Sequence, residues 1–169
     1  MEITKKKMSE TDAWQRLTAL CAGGEYCLSD MRRKMQRWEM PEGAEERIMA
    51  RLTKERFVDE TRFAHAFVRD RFRYNGWGAR RIEAELKKKG ISTDTINDAL
   101  TEISEDNILE SLCSLLESKR KSVRGKSAYE IRGKLIRFAL SRGFSYDDTE
   151  KVLEKLNITG DEEKDNWEI

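Results

Sequence analysis

Proline is nearly missing: Pro41 is the only one in 169 residues. With so few helix breakers and so many Lys, Arg, Glu and Leu residues, the composition favours helices over strands. Histidine is equally scarce. His65 stands alone with no second ligand near it, and Cys21, Cys27 and Cys113 do not keep the spacing of a metal site. An odd cysteine count without a signal peptide implies unpaired thiols in a reducing, cytoplasmic compartment. No apolar run approaches the roughly 20 residues needed to span a bilayer, so no membrane association is expected. The apolar fraction of 38% is also low, which disfavours one large core and favours an elongated stack of small ones.

Reactive constellations are missing as well. There is no Cys/His or Ser/His/Asp arrangement. Gly125-Lys126-Ser127 lacks the upstream glycine of a phosphate loop and reads better as the start of a helix. The expectation is a protein that is not an enzyme and takes no cofactor or metal.

Charge is abundant, and its near balance hides a pattern. The 33 basic and 32 acidic residues leave a net +1. Yet Arg62 to Lys89 holds nine basic residues against Asp70, Glu83 and Glu85, and Lys119 to Arg142 holds nine against Glu130 alone. The chain turns acidic from Asp147 onward. Such separation suits a polyanion or an acidic protein surface as partner; the plainer alternative is a solvated helix face.

The clearest organisation is a repeat. One segment reads Ile82, Leu86, Lys89-Gly90-Ile91-Ser92, then Ala99, Leu100 and Ile103. Another reads Leu135, Ala139, Arg142-Gly143-Phe144-Ser145, then Val152, Leu153 and Leu156, with the same offsets from its glycine. A looser first copy places Met31, Met35, Met40, Ile48, Met49 and Leu52 at matching positions, with Glu39 where the glycine would be. Each copy predicts helix, tight turn, helix. Gly90 and Gly143 are suited to end a helix with positive φ, and Ser92 and Ser145 to cap the next one. Ser9 with Asp12, Ser127 with Glu130, and Ser145 with Asp148 match capping boxes. A longer apolar-striped helix precedes each pair, through Phe63, Phe67 and Phe72, through Ile108, Leu112 and Leu116, and, in shorter form, through Trp14, Leu17 and Cys21 up to Gly23-Gly24.

The predicted fold is therefore all-α, with tandem three-helix repeats of helix-turn-helix type in an elongated, curved array. The division is a flexible N-terminus at 1–9, a first three-helix repeat region at 10–74, a second repeat at 75–122, a third at 123–157 and an acidic flexible tail at 158–169. Tyr74-Asn75-Gly76-Trp77-Gly78 and Ser122 to Lys126 read as linkers. Trp77 is either a plug between adjacent units or an exposed contact residue.

Repeating the unit repeats its basic patch. Arg80, Arg81, Lys87 and Lys88 lie off the Ile82/Leu86 stripe, Arg132, Lys134 and Arg137 hold comparable places in the third unit, and Arg32, Arg33, Lys34 and Arg37 in the first. Such a strip can follow a phosphate backbone with salt-sensitive, sequence-independent affinity, or lie against acidic subunits of a polymer.

Asp59-Glu60-x-Arg62-Phe63-Ala64, Arg71, then Gly76-x-Gly78-x-x-Arg81-Ile82-x-x-Glu85-Leu86-x-x-Lys89-Gly90-Ile91 resembles the central signature of RecX regulatory proteins. The first unit departs from the pattern, with Trp38-Glu39-Met40-Pro41 in place of the basic residue and glycine of the turn. The resemblance implies a non-enzymatic modulator that binds the RecA recombinase filament on single-stranded DNA. It also implies limits on filament growth, strand exchange and the coprotease activity of the SOS response. Some members of that family bind single- or double-stranded DNA directly. Candidate contact residues are then Arg71, Arg73, Arg80, Arg81, Lys87, Lys88 and Lys89, extended by Arg132, Lys134 and Arg137. The protein is expected to act as a monomer. Two rivals stand beside this reading: a DNA-binding helical repeat acting without RecA, and a helical scaffold whose charges only keep it in solution.

Overall fold

The computed structural model of the protein describes residues 5–160. Most of the acidic tail, 161–169, and the first four residues of the expected flexible N-terminus lie outside the described residues. The element order is β1 (Lys6–Lys7), α1 (Glu10–Gly23), α2 (Leu28–Met35), β2 (Trp38–Glu39), α3 (Ala44–Lys54), α4 (Glu60–Asn75), α5 (Ala79–Lys88), α6 (Thr93–Leu100), α7 (Glu105–Arg120), α8 (Ala128–Ser141) and α9 (Tyr146–Lys155). The all-α, repeated three-helix expectation holds, with the two-residue strands as its only departure among the described residues.

Local chemistry sets the helix ends. Ser9, Ser104, Ser127 and Ser145 are N-caps in extended backbone, and each hydroxyl accepts the amide N–H three residues on. Ser92 does the same for Thr95 at 3.3 Å. At the other end, Gly90 has φ +79° and Gly143 φ +94°. Behind Gly90, Ile91 N–H donates to Leu86 and Gly90 N–H to Lys87, at 3.1 and 3.0 Å; Phe144 and Gly143 repeat the pattern on Ala139 and Leu140 at 3.2 and 3.0 Å. Both turns are Schellman motifs, in which the left-handed residue lets two amides satisfy carbonyls of the last helical turn. A third one ends α9, with Asn157 at φ +56° in the glycine position.

The first copy solves its missing glycine differently. After α2 the chain runs extended, and Trp38–Glu39 pairs in parallel with Lys6–Lys7. The Met8 amide adds a 3.0 Å bond to the Glu39 carbonyl, and Met8 is buried. Residues 6–9 are thus structured, in contrast to the expected flexible 1–9. The reason is that Glu39 resists φ > 0, so its backbone groups find partners on a neighbouring strand instead. Gly43, at φ +74°, then opens α3.

The described residues divide into two compact units, one formed by those up to Phe67 with Glu85–Ala99, the other by Val68–Ala84 with those from Leu100 onward. In the first, α1 and α2 pack on α3. Its core gathers Leu17, Met31, Met35, Ile48 and Leu52, with Trp14 edge-on to Phe57 at 5.4 Å. In the second, α7, α8 and α9 pack on one another around Leu112, Leu116, Leu135, Phe144 and Leu153. Ile158 joins this core, and the Arg132 guanidinium donates to its carbonyl, so the described start of the expected tail at 158–160 is anchored to α8.

Candidate interaction surface

No group of three or more potential metal ligands occurs among the described residues, and no described helix is long and apolar enough to cross a membrane. The chemistry on offer is the distribution of cations. The ten candidate side chains fall into two kinds: those locked into the fold and those presented to solvent.

In the second unit, Trp77 is half-buried between two of the candidates. The Arg81 guanidinium lies 4.1 Å from the centroid of its ring and that of Arg71 5.2 Å. Arg71 also donates to the Asn75 side chain at 3.1 Å. Both guanidinium groups therefore lie within cation–π range of one indole, which helps to orient them. Arg80, one residue away, is exposed; its backbone N–H donates to the Gly143 carbonyl at 3.1 Å. Arg73 is exposed on the wall of a groove floored by Val68, Phe72 and Ile103.

Arg132 is drawn inward. It pairs with Glu150 at 2.5 Å, and both side chains are at most one-quarter exposed. The hydrogen bond to Glu150 is the main reason its pKa is raised further. Lys134 pairs with Glu130 at 2.8 Å and donates to the Arg124 carbonyl at 2.6 Å. Glu130 is held below its ordinary value by Lys134 first and then by the Lys126 amide, which it reaches instead of the cap residue's own N–H. Arg137 is exposed and makes no salt bridge within the described residues.

In the first unit, Lys87 and Lys88 are exposed, with Lys88 reaching Glu85 at 2.8 Å. Lys89 behaves differently. Its ammonium pairs with Asp30 at 2.8 Å and sits 5.7 Å from the Phe63 ring centroid. Burial opposes ionisation of Asp30, but the hydrogen bonds from Lys89 and Cys27 outweigh it and hold the carboxyl below its ordinary 3.8. Lys89 thus ties the Gly90 turn to α2.

The exposed candidates are therefore Arg73, Arg80, Lys87, Lys88 and Arg137, while Arg71, Arg81, Lys89, Arg132 and Lys134 are committed to intramolecular contacts. Sequence reasoning gave little weight to the cations of α2. Arg33 and Arg37 are exposed and, with Tyr26, Asp30 and Lys34, line an open cleft.

Comparison with known proteins adds the family. The profile of the RecX second three-helix domain matches residues 59–100, and that of the third three-helix domain residues 105–153. The Regulatory protein RecX of Clostridium botulinum (strain Eklund 17B / Type B) is 35% identical over 101 residues, covering 59% of this chain and 47% of that protein. The Regulatory protein RecX of Halalkalibacterium halodurans is 28% identical over 139 residues, covering 82% and 52%. The chain spans about half the length of these relatives. A crystal structure of regulatory protein RecX superimposes with a TM-score of 0.78 at 23% identity, over 86% of this chain and 73% of that one. The crystal structure of RecX from Lactobacillus salivarius gives 0.73 at 20%, over 88% and 97%. At those identities the structural likeness speaks for the fold alone. The matched domains, which together cover more than half of the sequence, show that this chain belongs to the RecX family of regulatory proteins.

Proposed function

We propose that this protein is a non-enzymatic, cytoplasmic regulator that binds the RecA filament assembled on single-stranded DNA and restrains its growth. Strand exchange and the filament's coprotease activity fall as a consequence. The observation that carries the reading is family membership across the second and third three-helix domains. The exposed cations Arg73, Arg80, Lys87, Lys88 and Arg137 fit it, because several weak electrostatic contacts on one polypeptide act together on a polymeric, charged target. The protein acts as a monomer in this reading.

The test is retention on filaments. RecA is assembled on immobilised single-stranded DNA with a slowly hydrolysed ATP analogue, and the protein is passed over filament and over bare DNA at equal ionic strength. Tighter retention on the filament supports the proposal. Equal retention on both moves the reading to a DNA-binding repeat that acts without RecA.

A further inference from the structure

Helix α8 carries two stripes, and one of them stays open among the described residues. Leu135 and Ala139 face the core and are fully buried. Tyr129, Gly133, Ile136 and Leu140 recur at i, i+4, i+7 and i+11, which groups them on another side of the helix. Tyr129 is 75% and Leu140 40% exposed. Gly133 leaves a notch between them, where an added Cβ would meet only the Arg137 side chain, at 3.6 Å. Arg137 borders the stripe, exposed and without a salt bridge within the described residues.

The described chain ends against this same helix. The Arg132 guanidinium donates to the Ile158 carbonyl at 3.2 Å. Gly160, at φ +75°, lies so near that an added Cβ would stand 2.8 Å from Arg132 Cδ and 3.6 Å from Tyr129 Cα. The exit point is thus held beside Tyr129, at the start of α8. Residues 161–169 follow, with Asp161, Glu162, Glu163, Asp165 and Glu168 against Lys164 alone, and with one aromatic, Trp167. From Gly160 to Trp167 an extended chain spans up to about 23 Å. Tyr129 and Leu140 are about 16 Å apart along the helix axis, so Trp167 is within reach of the far end of the stripe.

We propose that residues 161–169 dock in cis along the open stripe of α8, with Trp167 seated against Ile136 and Leu140 and the carboxylates facing Arg137. The charges are opposite in sign, since α8 carries Arg132, Lys134 and Arg137 against Glu130. Arg132 and Lys134 are engaged by Glu150 and Glu130, which leaves Arg137 as the cation for the tail to meet. A tethered segment is favoured over a second copy or a separate partner because the stripe is only one helix wide. A stable interface between separate proteins takes about 800 Å² from each side. A tether supplies an effective concentration on the order of millimolar, so far fewer contacts suffice. Docked, the tail withholds Arg137 from any acidic partner. The docking itself rests on no reading of the filament.

The experiment is fluorine NMR of the full chain labelled with 5-fluorotryptophan, the Trp167 resonance being assigned by Trp167→Phe. The reference is a labelled peptide of residues 160–169 in the same buffer. Docking is expected to shift the Trp167 resonance away from its position in the peptide. Leu140→Ser and Tyr129→Ser are each expected to return it towards that position, and Arg137→Glu or raised salt to return it part of the way. Tyr74→Ser removes a comparably exposed ring elsewhere in the same unit and is expected to leave the resonance in place. Circular dichroism checks helicity; should Leu140→Ser lose it, Tyr129→Ser, at the more exposed position, reads the same effect. A wild-type resonance at the peptide position overturns the proposal. So does a shifted resonance that the α8 variants leave unmoved, or one that Tyr74→Ser moves as far. A shift that survives both Arg137→Glu and salt overturns it as well, because the charges then play no part. A shift lost on about tenfold dilution reassigns the stripe to a second copy of the chain and rejects docking in cis. Retention on RecA filaments is read separately, so failure of one reading is not failure of the other.

Discussion

Gly78 approaches Gly143 so closely that a Cβ on Gly78 would lie 2.4 Å from the Gly143 carbonyl carbon and oxygen. A Cβ on Gly143 would in turn meet the Arg81 backbone nitrogen at 2.5 Å. Two backbone hydrogen bonds close the contact, from Gly78 N–H to the Arg142 carbonyl at 2.8 Å and from Arg80 N–H to the Gly143 carbonyl at 3.1 Å. The Gly-Trp-Gly segment before α5 is thus docked on the turn before α9, backbone against backbone.

Gly78→Ala is therefore expected to destabilise the fold by about 2–3 kcal/mol, since neither backbone can yield without breaking these bonds. Urea unfolding followed at the tryptophans measures it. A loss below about 0.5 kcal/mol, the size of an ordinary surface change, would show that the contact is loose.

Gly133→Ala is expected to act the other way. Gly133 lies inside α8, and its nearest neighbour to an added Cβ is the Arg137 side chain at an ordinary 3.6 Å. Alanine there should raise stability by about 0.5–1 kcal/mol through helix propensity. The same urea titration reads it.

The Lys89–Asp30 pair gives a pH dependence with a definite sign. The Asp30 pKa is depressed in the folded protein, with burial opposing and Lys89 and Cys27 prevailing. Its stabilisation is fully present above the ordinary 3.8 and is lost as pH falls through the folded value. Asp30→Asn should cost about 1–2 kcal/mol at neutral pH, a partly buried pair discounted for its remaining exposure. The gap between wild type and variant should narrow as pH drops below 3.8. A gap that stays constant through acid would remove Asp30 from this account.

Arg132 and Arg137 stand five residues apart on one helix and are expected to part company. Arg132→Ala abandons Glu150 and the Ile158 carbonyl and should cost about 1–2 kcal/mol. Arg137→Glu should leave stability within about 0.5 kcal/mol. Combined with Arg80→Glu, it should weaken retention on RecA filaments about tenfold, because both cations are exposed. Thermal melts and the filament assay separate the two effects.

Much of the fold was legible because its signals are local. A glycine before a capping serine states where one helix stops and the next begins, and the offsets Ile82, Leu86, Ala99 and Leu135, Ala139, Val152 all fall on buried residues. The β1–β2 ladder was not legible, since two paired residues carry no periodicity. The candidate surface was legible only as a composition. The apolar stripe predicts that Arg80 and Arg137 face solvent, as they do, but it gives no warning that Lys89 meets Asp30, 59 residues away, or that Arg132 meets Glu150. Long-range pairing of that kind is decided by packing and leaves no trace in spacing.

The most direct test of the central claim is RecA-catalysed ATP hydrolysis on single-stranded DNA, titrated with this protein against RecA of the same organism. Action on growing filaments predicts inhibition at well below one regulator per RecA, weakened in the Arg80→Glu/Arg137→Glu variant. Hydrolysis that stays unchanged up to equimolar regulator, with the protein folded, would contradict it.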